Sequence, residues 1–157
     1  MTSAEFIVHA LTERGLTIAC AETLTGGGIA QALIQVPGSS RVLDLGVVAY
    51  SDQAKVKVLR IDSETIQRYG AVSEEIAREM AEGVATVAHA DLGLAVTGVS
   101  GPGGGTAEKP VGMVCFALKK PGETITQTCR FGDLVRDAIM DRSVQTALEL
   151  VEEYIKQ

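Results

Sequence analysis

Glu22, Thr23 and Thr25 put a carboxylate and two hydroxyls directly ahead of Gly26-Gly27-Gly28. Thr17-Ile18-Ala19-Cys20, before them, is short, β-branched-rich and apolar, the pattern of a buried strand. Ile29, Leu33 and Ile34, after them, have helical spacing. The order is therefore strand, polar turn, glycines, helix. Glycines at a helix start leave amide groups unobstructed, and the helix dipole favours negative charge there. A hydroxyl such as Thr23 or Thr25 would then sit beside an anion site at the carboxyl end of a strand, where open α/β sheets bind ligands. The same residues fit a plainer reading, with Thr25 as a helix N-cap and the glycines as a tight turn. No Lys-Ser/Thr pair follows the glycines, and their spacing is not that of the dinucleotide fingerprint, so neither familiar nucleotide motif is present.

Two further turns compete for the same place. One is Tyr50–Lys55. The other runs from Thr97 to Gly112, and its loop 98–106 holds five of the chain's 17 glycines, at 98, 101, 103, 104 and 105. A long loop with Pro102 and Thr106 among glycines, set between two apolar strands, predicts an ordered ligand cradle. If the preceding strands are parallel neighbours, one rim gathers Glu22, Thr23, Thr25, Tyr50, Lys55, Thr97, Ser100 and Lys109. His9 and His89 fall in helical stretches away from these turns, so any hydrolytic mechanism here lacks a histidine base.

The elements that must position this rim are legible in order. Thr2-Ser3-Ala4-Glu5 reads as a capping box opening a first helix that ends at Gly15. Leu43 to Tyr50 predicts a strand buried on both faces. Helices follow from Ser51 or Asp52, over Ser63–Tyr69, and from Ser73. Leu92–Thr97, Met113–Leu118 and Ile125–Phe131 read as strands, the last two joined by a hairpin at Pro121-Gly122-Glu123. A long helix from Asp133 to Lys156 turns Val135, Ile139, Val144, Leu148 and Val151 inward. Helices alternating with strands, then a hairpin, predict a three-layer α/β/α sandwich with a mixed, mostly parallel sheet of about five strands. At 157 residues the expectation is a single domain over 1–157.

Composition narrows the partners. The net charge is −6 and no basic block occurs, which argues against nucleic acid. No apolar run reaches membrane-spanning length, and no charged start precedes an apolar core, so neither a membrane nor a secretory signal is expected. Cys20, Cys115 and Cys129 are odd in number and widely spaced. That fits core thiols in a reducing, cytoplasmic compartment better than a disulfide or zinc framework.

The blocks AETLTGG, PGSS, AYSDQAK, YGAVS, TGVSGPGGGT and KPVG, in this order, resemble the CinA C-terminal domain family, the nicotinamide-nucleotide amidohydrolases. The resemblance spans Thr17 to Leu148 and suggests the stand-alone form of a domain that larger members join to another. It implies a three-layer α/β/α fold and hydrolysis of the carboxamide of nicotinamide mononucleotide to nicotinic acid mononucleotide and ammonia, in pyridine nucleotide salvage. It also implies no cofactor and no metal, a small-molecule mononucleotide as the partner, and a homo-oligomer. The family's nucleophilic serine is Thr23 here, while its tyrosine and lysine match Tyr50 and Lys55. Its Gly-Asp-Arg run is altered: Leu134-Val135 follow Gly132-Asp133 before Arg136, and a second arginine position holds Met140.

Amide hydrolysis needs a nucleophile, a base and an oxyanion hole. A hydroxyl with a lysine base is one form of that logic, provided that burial or a neighbouring cation lowers the lysine's pKa. The roles follow: Thr23 as nucleophile, Lys55 as base, Tyr50 as relay or support. Backbone amides near Thr25, Gly26 and Gly27 stabilise the oxyanion, and Glu22 is counted among the substrate-binding residues. Thr97, Gly98, Gly101, Gly103, Gly104, Lys109 and Arg136 hold the rest of the substrate, its phosphate included. The alternative is a catalytically silent nucleotide-binding or competence-associated module.

Overall fold

The computed structural model describes the whole sequence, Met1–Gln157. Helix α1 (Ser3–Arg14) opens on the capping box: the Thr2 hydroxyl accepts from the Glu5 amide and the Glu5 carboxylate from the Thr2 amide. Gly15 closes it in the left-handed region. There follow β1 (Ile18–Glu22), α2 (Gly28–Ile34), a short 3-10 turn (Ser39–Arg41), β2 (Leu43–Val48) and α3 (Asp52–Leu59). Next come α4 (Ser63–Tyr69), α5 (Glu74–Ala88), β3 (Leu92–Gly98), β4 (Met113–Lys120), β5 (Glu123–Arg130) and α6 (Arg136–Lys156). The strands form one mixed sheet in the order β2-β1-β3-β4-β5. β2, β1 and β3 are parallel, and β4 and β5 add on antiparallel. No helix is long and apolar enough to cross a membrane.

Helices α1, α2 and α6 cover one face of the sheet, and α3, α4 and α5 the other. The period-2 alternation of strand side chains makes the two faces unlike. Ile18, Cys20, Leu92, Leu94, Val96, Val114, Phe116 and Leu118 point to the first. Ala19, Ala21, Ala95, Cys115 and Ala117 point to the second. The small side chains let α5 lie close against the sheet. A Cβ on Gly93 would stand 2.0 Å from the Ala81 carbonyl oxygen, and one on Gly83 2.1 Å from that of Leu59. Gly93→Ala is therefore expected to destabilise by about 3 kcal/mol, because helix and strand must separate. Gly103→Ala, where a Cβ meets nothing within 4 Å, is the control. Thermal melts compare them, and equal midpoints would show that α5 can lift at no cost.

Three expectations are corrected. β2 is not buried on both faces: it is the outer strand, its residues alternate between half-buried and exposed, and Val48 is half-exposed. Only one side of it has a neighbouring strand. The last helix begins at Arg136 rather than Asp133, so Val135 is an extended residue ahead of the first turn. It lies off the apolar stripe and is 74% exposed. β1 also runs further than TIAC, which puts Glu22 on the strand itself.

Candidate active site

β1 is flanked by β2 and β3, and both pairings continue past the strand ends. The Ala49 amide donates to the Glu22 carbonyl (2.9 Å) and the Thr23 amide to the Val96 carbonyl (3.2 Å). Thr23 is therefore held from both sides where the chain leaves the sheet. Its side chain is 9% exposed, and its Oγ1 donates to the Ala49 carbonyl oxygen at 3.1 Å. Lys55 comes to the same atom from α3. Ser51 caps that helix, accepting from the Ala54 amide, and so directs Lys55 inward beneath the end of β2. Lys55 is 1% exposed and its Nζ donates to the carbonyls of Ala49 (3.0 Å) and Tyr50 (3.3 Å). Burial pushes the amine below the ordinary lysine range, against a smaller opposing pull from Asp52. A neutral amine has two N–H groups and a lone pair. Two carbonyls take two N–H groups, so the third position carries a proton or a lone pair according to charge state.

The glycine turn is arranged differently from either reading of its sequence. Gly26 and Gly27 both have positive φ, 60° and 98°. Two successive left-handed residues fold the chain back sharply, which glycine alone does without strain. The fold brings the start of α2 onto Glu22, whose carboxylate is 1% exposed. It accepts from the Thr25 hydroxyl (2.5 Å) and from the amides of Ile29 (2.9 Å) and Ala30 (3.0 Å). The anion expected at this helix start is thus the protein's own carboxylate. Thr25 is not the N-cap, a position held by Gly27 without a side-chain bond.

The remaining predicted residues gather around the second loop. Thr97 is buried and donates to the Ala71 carbonyl (3.0 Å), and Lys109 donates to the Tyr69 carbonyl at the end of α4. Gly98 has no room for a side chain, since a Cβ there would lie 2.8 Å from the Met113 oxygen, and one on Gly101 would lie 2.6 Å from Val111. Gly103 and Gly104 are exposed, with only the edge of Val99 near the second. Arg136 donates to the Gly101 carbonyl (2.5 Å) and to the Tyr50 hydroxyl (3.5 Å), joining the loop to the turn after β2. The Tyr50 phenol, on a residue 64% exposed, meets Arg136 rather than Lys55; Tyr50 supports Lys55 through its main-chain carbonyl. Lys55, Lys109 and Arg136 are all bonded to neutral carbonyls, whereas the two salt bridges, Lys120–Glu123 and Lys156–Glu152, lie elsewhere. No carboxylate lies within salt-bridge distance of Lys55, Lys109 or Arg136. Both histidines are exposed, and His89 lies just ahead of β3, at the opposite end of the strands from the rim. Burial pushes the Cys20 and Cys115 thiols up, which leaves them unreactive.

Sequence reasoning missed Ala49, on whose carbonyl Thr23 and Lys55 converge. Its contribution is main-chain only, so no side-chain pattern marks it.

The model of the CinA C-terminal domain matches residues 1–155. A CinA-like protein of Gloeobacter violaceus is 50% identical over 146 residues, covering 92% of this chain and 34% of that protein. One of Kosmotoga olearia is 46% identical over 147 residues, covering 94% and 35%. The chain thus spans about a third of the length of these relatives. Among solved structures, the competence/damage inducible protein of Agrobacterium tumefaciens superposes with a TM-score of 0.95 at 42% identity, covering 99% of this chain and 94% of that one. A CinA superfamily protein of Escherichia coli does so with a TM-score of 0.92 at 32% identity, covering 99% and 88%. Sheet order, the six sequence blocks and these matches agree: the chain belongs to the CinA C-terminal domain family.

Proposed function

We propose that this domain is an amidohydrolase that converts nicotinamide mononucleotide to nicotinic acid mononucleotide and ammonia, with Thr23 as nucleophile and Lys55 as base. The observation that carries the reading is the convergence of the Thr23 hydroxyl and the buried, pKa-lowered Lys55 amine on the Ala49 carbonyl. In this reading Thr23 Oγ1 bonds to the carboxamide carbon, its proton passes to Lys55, and the carbonyl π pair moves onto oxygen. When the C=O re-forms, the C–N bond breaks and the proton on Lys55 leaves with ammonia. Water then attacks the ester, with Lys55 again as base, and releases the carboxylate and Thr23. The cations of the rim and the open amides around Gly103 and Gly104 suit a phosphate.

A second reading, a mononucleotide-binding module without turnover, is favoured by one detail. The Thr23 hydroxyl hydrogen is directed at the Ala49 carbonyl, so it must rotate before Lys55 can receive it. The deciding assay is ammonia release from nicotinamide mononucleotide, expected above background for the enzyme and absent for the module. In either case calorimetry is expected to show the mononucleotide binding at least about tenfold more tightly than its nucleoside, since charge-assisted bonds to phosphate contribute about 1.5–3 kcal/mol. Equal affinities would remove the phosphate cradle from the proposal.

A further inference from the structure

The turn after β1 contains three amides that the rest of the molecule leaves unpartnered, two of them on buried residues. Thr23, Gly26 and Gly28 donate within the main chain, and Ile29 and Ala30 donate to Glu22. The amides of Leu24 and Thr25 have no partner in the protein, although each residue is only 5% exposed. The Gly27 amide is also unpartnered, but that residue is part-exposed, where solvent serves. In native proteins more than 90% of buried amides are paired, so two consecutive unpartnered amides on residues this buried call for a cause. They directly follow Thr23, whose hydroxyl shares the Ala49 carbonyl with the Lys55 amine. The start of α2 is no site itself, because Glu22 already fills it.

Resting on the amidohydrolase reading, we propose that the Leu24 and Thr25 amides form the oxyanion hole and that Glu22 is the positioning residue that keeps them open. When Thr23 Oγ1 bonds to the carboxamide carbon and its proton moves to Lys55, the C=O pair becomes an alkoxide. The amide of the residue after the nucleophile is the donor nearest that oxygen. Glu22 acts at both ends of the turn. Its main chain is fixed in β1, and its carboxylate takes the Thr25 hydroxyl and the first free amides of α2. The strongest acceptor in the turn is thereby engaged by three other donors, and the amides of Leu24 and Thr25 remain for the substrate. The residue that the sequence placed among the substrate ligands thus organises the site without touching substrate.

The test has two arms. Titrating ¹⁵N-labelled protein with nicotinic acid mononucleotide, whose carboxylate stands where the amide oxygen would, is expected to move the Leu24 and Thr25 amide protons downfield more than any others in the turn. Glu22→Gln is expected to lower kcat for nicotinamide mononucleotide by about 10²-fold, the scale of a lost oxyanion donor, with KM changed less than about threefold. A purely structural Glu22 would raise KM and lower Tm without that split. Product binding that shifts amides elsewhere but not those of Leu24 and Thr25 overturns the hole and leaves the amidohydrolase reading intact. Undiminished kcat in Glu22→Gln overturns the positioning role. No product binding and no ammonia from the wild type overturn the amidohydrolase reading and the hole together. The titration uses wild-type protein, so it decides the matter even if Glu22→Gln does not fold.

Discussion

Thr23→Ala is expected to reduce ammonia release from nicotinamide mononucleotide by a factor on the order of 10⁴ or more, the scale of losing a nucleophile. The cost to the fold should be small. The Ala49 carbonyl keeps its bond from Lys55, so one hydrogen bond is lost without orphaning its acceptor, about 0.5–1.5 kcal/mol. Mononucleotide affinity should be nearly unchanged, because the cations and open amides of the second loop are untouched. Thr23→Ser is expected to keep or raise the rate, since it presents the same hydroxyl without the methyl group that stiffens χ1. That freedom bears directly on the rotation needed to turn the hydroxyl from Ala49 towards Lys55. Robust turnover in Thr23→Ala would assign the attack to water or to another residue.

Lys55→Met is expected to separate activity from stability in opposite directions. The amine is removed and the aliphatic length kept, so turnover should fall by a factor on the order of 10² to 10⁴, the range for a general base. The protein should at the same time become more stable at neutral pH, by about 1 kcal/mol, because an amine whose charged form is penalised by burial is replaced by a thioether. The pH dependence has a defined sign. Burial lowers the Lys55 pKa in the folded state, so between that value and the ordinary lysine value the unfolded chain holds a proton that the folded chain lacks. Wild-type stability from this group is fully present above the ordinary value and is lost as pH falls through the folded one. The advantage of Lys55→Met should therefore shrink as pH rises across that window, while wild-type turnover rises over the lower part of it as Lys55 loses its proton. Melts at neutral and alkaline pH, with a pH–rate profile, check all three. A variant no more stable than wild type at neutral pH would show that burial does not strain the amine.

Much of the scaffold could be read residue by residue. The Thr2–Glu5 box, Ser73 as a cap, Ser51 as one of two candidate caps, and Gly15 as a stop were legible because caps are local: donor and acceptor lie within a few positions. The edge position of β2 was not, because strand order depends on which elements cross over. Its apolar residues suit a central strand as well as an outer one. Val135 was misplaced because periodicity shows which positions share a stripe but not where the helix begins. Lys55 was legible as a candidate base, and its burial follows from the register of α3 after Ser51. The role of Glu22 was hidden, because its partners, the amides of Ile29 and Ala30, lie across a turn whose two left-handed glycines set the geometry.

At the rim, Thr23, Lys55, Thr97, Lys109 and Arg136 all find main-chain oxygens as partners, at Ala49, Tyr50, Ala71, Tyr69 and Gly101. A main-chain oxygen is present whatever residue is encoded, so genetic drift at these acceptor positions cannot delete a contact by changing a side chain. The lineage can exchange Ala49 or Ala71 for any residue that fits its space and keep the same bond. What it cannot tolerate is an insertion or deletion that slides one of these segments, since a one-residue slip moves every acceptor that segment carries. Inheritance of this site is thus a matter of chain length between glycines more than of the identity of the residues beneath it.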